Sequence, residues 1–170
     1  MSKVYIRPIT YDDTELVVKW RAMKFVQDNF IFREPITREV HENWMRTKVD
    51  TGEVVQFIIC VGEERFPIGS VYLNKIDRKH SHCEYGIFIG EEDFLGKGYG
   101  TEAARLAINY AFDELKLHKI VLRLLGDNMR ARKSYEKAGF VYEGTSRDYV
   151  LLDGKYRDVV FMGIINPKSK

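Results

Sequence analysis

Cysteine, proline and long apolar runs are all scarce in this 170-residue sequence, which contains two cysteines and four prolines. Cys60 and Cys83 each fall within a predicted strand, so we expect buried thiols rather than a disulfide. The four histidines show no zinc-ligand spacing with these cysteines, so no metal is expected. Residues 1–8 lack the apolar run of a signal peptide, and no segment reaches membrane-spanning length. These absences predict a cytoplasmic protein without a metal or a membrane partner.

Neither sign of charge is in excess, because 27 basic and 25 acidic residues leave a formal net charge of +2. Proteins that bind nucleic acids usually concentrate positive charge on a tail or a stripe, so no nucleic-acid partner is expected. Hydrophobic residues make up 45% of the chain and aromatic residues 13%, which is enough for a continuous core. No shift in composition marks a boundary, so one domain over residues 1–170 is predicted.

The first half of the chain begins with a strand pattern and continues with helix patterns. Residues 4–9 alternate apolar and polar side chains, as a half-buried strand does. Two helices are predicted next, and the second is capped by Thr37 and turns Val40, Trp44 and Met45 inward. Three strand-like runs then form a predicted antiparallel meander at residues 54–61, 68–76 and 83–89.

The second half opens with a strongly amphipathic helix at residues 101–117. Residues 119–125 follow as a largely unalternated run, which is typical of a central strand buried on both faces. A shorter helix is capped by Asp127 or Asn128 and ends at Gly139.

The chain closes with a predicted hairpin of residues 140–151 and 156–165 about the turn dipeptide Asp153-Gly154. The complete order of elements is strand, two helices, three strands, helix, strand, helix and two strands. This order predicts an α/β fold with one mixed, mostly antiparallel sheet of six to seven strands and about four helices on its faces.

The segment with most information about function is the glycine-rich run Phe94–Ala103, FLGKGYGTEA, where a strand gives way to a helix. Gly96, Gly98 and Gly100 would let backbone N–H groups and the positive end of the helix dipole approach a pyrophosphate. A dinucleotide fold is disfavoured because the preceding strands form a meander, and no Gly-Lys-Ser/Thr sequence of a nucleotide-binding P-loop follows. A glycine-rich turn without a ligand is the remaining alternative.

Two motifs together resemble the GNAT acetyltransferases. The loop Leu95-Gly96-Lys97-Gly98-Tyr99-Gly100 is similar to that family's pyrophosphate loop, Arg/Gln-x-x-Gly-x-Gly/Ala, and DNMRARKSYEKAGF at residues 127–140 is similar to its later helix. Leu95 departs from the pattern because it cannot supply the contact of Arg or Gln, so weaker contact with phosphate is expected. Three further segments, VKWRAMKFVQDNF, ITREVHENW and GKYRDVVFMGI, look most like the branch with ribosomal-protein N-terminal, spermidine and amino-sugar acetyltransferases.

This resemblance implies transfer of an acetyl group from acetyl-CoA to a primary amine by direct attack in a ternary complex. The acceptor is a polyamine, an amino sugar or a protein N-terminus, and the family implies a possible homodimer. The alternatives are a sensor that binds acyl-CoA without turnover and a dinucleotide-binding module.

The resemblance also implies roles for individual residues. Tyr135 is the expected acid that protonates the departing thiolate, with packing in the core as its alternative role. Glu84 is the expected base on the amine side, with an ion pair to Arg or Lys as its alternative role. The residues expected to bind the coenzyme are Ile87, Phe88 and Ile89 along the pantetheine arm, Leu95, Gly96, Lys97, Gly98, Tyr99, Gly100 and Thr101 at the pyrophosphate, and Asn128 and Lys133.

Overall fold

A seven-stranded, mostly antiparallel sheet forms the centre of the computed structural model, which describes residues 2–169. The strands lie side by side in the order β1-β2-β3-β4-β5-β7-β6. Within the described residues, β4 and β5 form the one parallel pair. The strand bounds are β1 Val4–Pro8, β2 Val55–Val61, β3 Phe66–Asp77, β4 His82–Ile89, β5 Lys119–Leu125, β6 Val141–Leu152 and β7 Lys155–Ile165.

Between residues 2 and 169, five α-helices cover the two faces of this sheet, where about four were predicted. The additional helix, α2, is a single turn that follows α1 directly. No helix between residues 2 and 169 combines the length and the apolar character needed to cross a membrane. The helix bounds are α1 Thr14–Ala22, α2 Lys24–Gln27, α3 Arg38–Trp44, α4 Tyr99–Asp113 and α5 Met129–Ala138.

Local sequence signals explain where α5 and the last hairpin begin and end. The Asn128 side chain accepts a hydrogen bond from the Ala131 N–H, so Asn128 is the cap of α5 rather than Asp127. Gly139 ends the helix in the left-handed region with φ of 108°. Asp153 and Gly154 both have positive φ, which is the type I′ turn expected between two antiparallel strands.

The inner face of α3 differs from the prediction. Thr37 caps the helix as expected, but Val40 is 52% exposed. Met45 is buried as predicted, Trp44 is half-buried, and His41 is buried although it was not predicted to be. The ring nitrogen Nδ1 of His41 lies 3.0 Å from the hydroxyl of Thr14 on α1, and this buried contact holds the helix in a different rotation.

The sheet separates two cores. One lies between the sheet and the helices α4 and α5, and the other lies between the sheet and the helices α1 to α3. Cys83 is buried in the first core and Cys60 in the second, and both thiols are free, as predicted. Burial raises the pKa of the Cys83 thiol to about 12. Because alternate residues of β4 enter opposite cores, this strand presents side chains to both sides of the sheet.

Candidate active site

The parallel strands β4 and β5 pair along only part of their length. Their register runs from His82 opposite Lys119 to Glu84 opposite Val121, and beyond this point the strands separate. On the other edge of β4, the Gly90 N–H donates to the Ile68 carbonyl at 2.8 Å. Because backbone groups alternate sides along a strand, those of Ile87 and Ile89 point towards the gap beside β5.

A cavity of about 530 Å³ lies at this gap. The strands β4 and β5, the glycine-rich loop, α5 and the segment after α2 all contribute to its wall. Of the residues predicted to bind the coenzyme or to catalyse, twelve line it: Glu84, Ile87, Phe88, Ile89, Leu95, Gly96, Gly98, Gly100, Thr101, Asn128, Lys133 and Tyr135.

The glycine-rich loop enters α4 through left-handed backbone. Gly98 has φ of 86° and immediately precedes the helix, and Gly96 has φ of 72°. A Cβ placed on Gly96 or Gly100 would meet no atom within 4 Å, so the space beside the loop is open to a ligand. The free N–H groups at the start of a fifteen-residue helix therefore face open space, which fits the pyrophosphate of a coenzyme.

Two loop residues that were predicted to bind the coenzyme do not line the cavity. The Tyr99 ring is buried in the core and lies 5.6 Å from the ring of Phe94. Lys97 is exposed at the tip of the loop. The contact between the Tyr99 and Phe94 rings thus anchors the start of α4, whereas the ammonium group of Lys97 lies in solvent.

The first turn of α4 meets the middle of α5 behind the loop. The hydroxyl oxygens of Thr101 and Ser134 lie 2.8 Å apart, so a hydrogen bond joins the two helices. Asn128 uses its Oδ1 atom as the cap of α5, which leaves its Nδ2 amide for donation to a ligand carbonyl. Lys133 lies one turn further along α5 and is exposed.

Tyr135 lies on the inner face of α5, with its ring 6.0 Å from the rings of Tyr85 and Phe140. Its hydroxyl makes no hydrogen bond to another residue between 2 and 169, although the side chain lines the cavity. Burial raises the pKa of the Tyr135 phenol, so the group stays protonated throughout the neutral range. Packing and proton donation are therefore compatible in this side chain.

Glu84 lies at the point where β4 and β5 separate and is held by two cations. Its Oε1 atom accepts hydrogen bonds from Nε and Nη2 of Arg123 at 2.9 and 2.7 Å, and its Oε2 atom accepts one from Lys75 at 2.7 Å. Burial acts to raise the pKa of Glu84, but the hydrogen bonds from Lys75 and Arg123 outweigh it and lower that pKa. The carboxylate is consequently ionised at neutral pH.

The ion pair of Glu84 leaves part of its hydrogen-bonding capacity free. A carboxylate offers about four lone-pair sites, and the three donors from Arg123 and Lys75 occupy three of them. The remaining site on Oε2 can accept a hydrogen bond from a water molecule or an ammonium group. Ion pairing and service as a proton acceptor are thus compatible.

Several polar residues of the cavity were missed by the sequence analysis. Arg123 interrupts the apolar run KIVLRLL of β5, and a charge inside a central strand was the signal that could have identified it. Tyr72 and Asn74 on β3 lie on the same wall, and the Oδ1 atom of Asn74 is buried without a partner within the described residues. The Tyr85 hydroxyl is also buried and unpaired there. Such unpaired atoms indicate hydrogen bonds that a bound molecule would complete.

Three possible metal ligands meet elsewhere, on the hairpin between β3 and β4. The ligand atoms of Asp77, His80 and His82 lie within 4.8 Å of one another. The backbone and the ring of His80 both hydrogen-bond to Asp77 at 2.8 Å, and these bonds lower the pKa of Asp77 to about 2. The contacts account for the cluster as a cap on the hairpin, and none of its residues lines the cavity.

The comparison with protein families identifies the arrangement. The family model described as an acetyltransferase (GNAT) domain matches residues 3–141 of the chain. The chain belongs to the GNAT acetyltransferase family. As a member of it, the chain is an acetyl-CoA-dependent N-acetyltransferase.

Individual relatives resemble the chain over most of its length. A probable N-acetyltransferase of Bacillus subtilis, YjcK, is 31% identical, and the alignment covers 98% of this chain and 96% of that protein. The spermidine N(1)-acetyltransferase of Escherichia coli K12 is also 31% identical, with 95% and 85% covered. A solved structure of spermidine N-acetyltransferase from Vibrio cholerae, in complex with CoA and spermine, has a TM-score of 0.88 at 26% identity and covers 95% of both chains. The predicted family and mixed fold are confirmed.

Proposed function

We propose that the protein transfers the acetyl group of acetyl-CoA to a primary amine by direct attack in a ternary complex, and that both substrates meet in the cavity between β4 and β5. The observation that carries this proposal is the gap beyond Glu84, where Ile87 and Ile89 remain paired with β3 but no longer pair with β5. An extended pantetheine arm offers the hydrogen bonds that such an edge requires. The open loop at Gly96–Gly100 and the exposed Lys133 suit the phosphates at the other end.

In this proposal the thioester lies beside the second half of β4, where the strand has separated from β5. The Ile89 N–H stabilises the developing oxyanion of the tetrahedral intermediate. The Tyr135 phenol, which lines the cavity and is protonated at neutral pH, then gives its proton to the departing thiolate. Each acetyl transfer breaks one C–S bond and forms one C–N bond.

The amine must lose a proton before it attacks, since a free alkylamine has a pKa of about 10.4. Glu84 accepts that proton through a water molecule held at the free site on Oε2. The carboxylate remains bound by Arg123 and Lys75, which keep it ionised and fixed in position. The relatives support polyamines as one class of acceptor, and amino sugars and protein N-termini are the other two. The two free, buried cysteines fit an enzyme of the reducing cytoplasm.

A turnover screen tests this proposal. Purified protein is incubated with acetyl-CoA and polyamines, amino sugars, amino acids or short peptides, and both CoA release and the acetylated product are measured. We expect stoichiometric CoA and N-acetyl product with at least one amine. Tight binding of acetyl-CoA without product in any mixture would instead support the sensor, and binding of NADH without binding of CoA would support the dinucleotide-binding module.

A further inference from the structure

The wall of the cavity is unusual in its charge. Among the described residues that line it, Glu84 is the one carboxylate, and two basic residues neutralise it. The basic residues of the lining include Arg123 beside Glu84, with Arg130, Lys133 and Lys137 on α5. The three basic residues of α5 lie near the glycine-rich loop and suit the coenzyme phosphates. Arg123 instead lies beside Glu84, towards the opposite end of β4.

Arg123 has a free edge. Glu84 takes the edge of the guanidinium formed by Nε and Nη2, and no other hydrogen bond from Arg123 occurs within residues 2–169. The Nη1–Nη2 edge therefore retains its donors. A planar fork of this kind matches a carboxylate or a phosphate, to which it can donate two parallel hydrogen bonds. Glu84 fixes the plane of this fork, so the free edge is oriented before a ligand arrives.

Arg21 is a second cation near this wall of the cavity, and it has no carboxylate partner among the described residues. The guanidinium of Arg21 lies 3.8 Å from the centre of the Phe30 ring, and its Nη2 donates to the Phe32 carbonyl at 3.2 Å. Its Nε atom is buried and unpaired among the described residues. Both phenylalanines line the cavity, so this charge lies directly behind the wall. A polycation entering here would approach Arg21 and Arg123 with no unpaired carboxylate to receive it.

A glycine on β4 makes room for an aromatic ring of the cavity wall. The Tyr72 ring lies across the strand at Gly86, where a Cβ would come within 2.3 Å of the ring. Asn74 is the next residue of β3 on the same face, and its unpaired Oδ1 atom can accept only from a donor such as an amine. The site thus offers hydrogen-bond acceptors for the substrate amine at Asn74 and Glu84. It offers the free edge of the Arg123 guanidinium for an anion.

We infer that the acceptor is a primary amine that carries an anionic group, a carboxylate or a phosphate, and that the free edge of Arg123 binds this group. The inference rests on the proposed function, because it names the acceptor of the same cavity. It predicts that the enzyme acetylates amines with an anionic group in preference to polyamines. The anion subsite consists of Arg123, with Tyr72 on the same wall of the cavity.

A set of amines with one five-carbon chain tests the charge alone. Pentylamine, 5-aminopentanoate and cadaverine share the reacting amine and differ at the other end, which is neutral, anionic or cationic. We expect kcat/KM for 5-aminopentanoate to exceed that for cadaverine about tenfold or more, as charged hydrogen bonds do elsewhere. Equal values, or a preference for cadaverine, would overturn the inference. A fourth amine, 5-aminopentyl phosphate, separates the two anions, since the better of the two identifies the group for which the subsite is shaped.

Two matched variants test whether the preference for an anionic amine depends on Arg123. Arg123→Gln and Lys75→Gln each remove one partner of Glu84, but only Arg123 has an edge in the cavity. The ratio of kcat/KM for 5-aminopentanoate over pentylamine should fall about tenfold in Arg123→Gln and stay unchanged in Lys75→Gln. An equal fall in both would mean that the effect passes through Glu84 and would refute the subsite. If Arg123→Gln does not fold, Arg123→Lys keeps the charge but loses the fork, and the same ratio should fall.

Binding separates this inference from the proposed function. Each amine is titrated calorimetrically into protein saturated with CoA, which lacks an acetyl group to transfer. Tighter binding of 5-aminopentanoate than of cadaverine supports the anion subsite even if no amine of this set or of the turnover screen is acetylated, in which case the proposed function fails alone. Acetylation of cadaverine in preference to 5-aminopentanoate leaves the proposed function standing and overturns the subsite.

Discussion

Tyr135 combines a partly buried ring with a free hydroxyl donor. Its ring packs edge-on against Tyr85, and its hydroxyl has no partner within the described residues. A phenylalanine would retain this packing while removing the donor. The residue therefore allows catalysis to be separated from stability in one substitution.

We expect Tyr135→Phe to lower kcat by a factor on the order of 10²–10⁴, because the thiolate would leave without a proton donor. The dissociation constant of acetyl-CoA and the unfolding free energy should change little. Steady-state kinetics and calorimetry measure these quantities. Tyr110→Phe is the control, since Tyr110 packs on Phe57 and does not line the cavity. A wild-type rate in Tyr135→Phe, with chemistry shown to be rate-limiting, would reduce Tyr135 to a packing residue.

We expect the effect of Glu84→Gln on kcat/KM to depend on pH. This substitution removes the charge of the side chain and keeps its shape. The substrate is mostly ammonium at low pH, so the loss of kcat/KM should be larger at pH 6.5 than at pH 9. The lowered pKa of Glu84 keeps the carboxylate ionised over this whole interval, so its own titration does not enter the profile. The pH profile of kcat/KM is the measurement, and the unfolding free energy checks for damage from the two broken ion pairs. A loss that is the same at every pH would assign Glu84 to positioning.

At the scale of the element, the entry to α4 depends on backbone that is left-handed at Gly98, with φ of 86°. Side chains disfavour this region, and a side chain here would also approach the proposed phosphate. The left-handed backbone and the proposed binding of phosphate thus both favour glycine at position 98. The sequence pattern identified this loop because glycine spacing before a helix is a local signal.

We expect Gly98→Asp to raise the dissociation constant of acetyl-CoA at least about tenfold, since the new carboxylate would face the phosphates. Calorimetric titration measures this. Gly62→Asp is a matched control, because Gly62 has φ of 74° in the turn between β2 and β3 and lies far from the cavity lining. It should show a similar cost of backbone strain with unchanged affinity. Unchanged affinity in folded Gly98→Asp would remove the loop from the coenzyme site.

Across the whole molecule, the stability of the protein depends on a buried histidine that joins two helices. His41 is 3% exposed, and its Nε2 atom has no partner among the described residues. Burial lowers the pKa of His41 below its ordinary value of about 6.5. Between the folded and unfolded pKa values, the unfolded chain binds a proton that the folded chain does not, so stability falls as pH decreases below about 6.5.

The unfolding free energy should therefore decrease between pH 7.5 and pH 5.5, by at most about 1.4 kcal/mol per pH unit from this group. Denaturant titrations at several pH values measure the slope. His41→Gln, which cannot titrate, should flatten it, whereas His82→Gln on the exposed hairpin should not. An unchanged slope in His41→Gln would show that another group controls acid stability.

Local spacing in the sequence determined much of this protein. The glycine loop, the strand pattern around Glu84, the position of Tyr135 on a helix and the turn at Asp153 could all be predicted, because each depends on residues within a few positions of one another. Every strand bound differed from prediction by two residues or fewer, and the largest difference is at the start of β3, which was predicted at residue 68 and lies at Phe66.

The tertiary structure alone decided which residues meet across these elements. Arg123 reaches Glu84 across 39 positions because β4 and β5 pair in parallel for three residues and then separate, and no local periodicity encodes that pairing. The rotation of α3 likewise follows from the contact of His41 with Thr14, 27 positions away. A local pattern specifies which face of an element is apolar, but the partner of a polar side chain depends on which distant element packs against it. The charge of the cavity wall around Glu84 therefore depends on the tertiary structure, which brings Arg123 to this carboxylate.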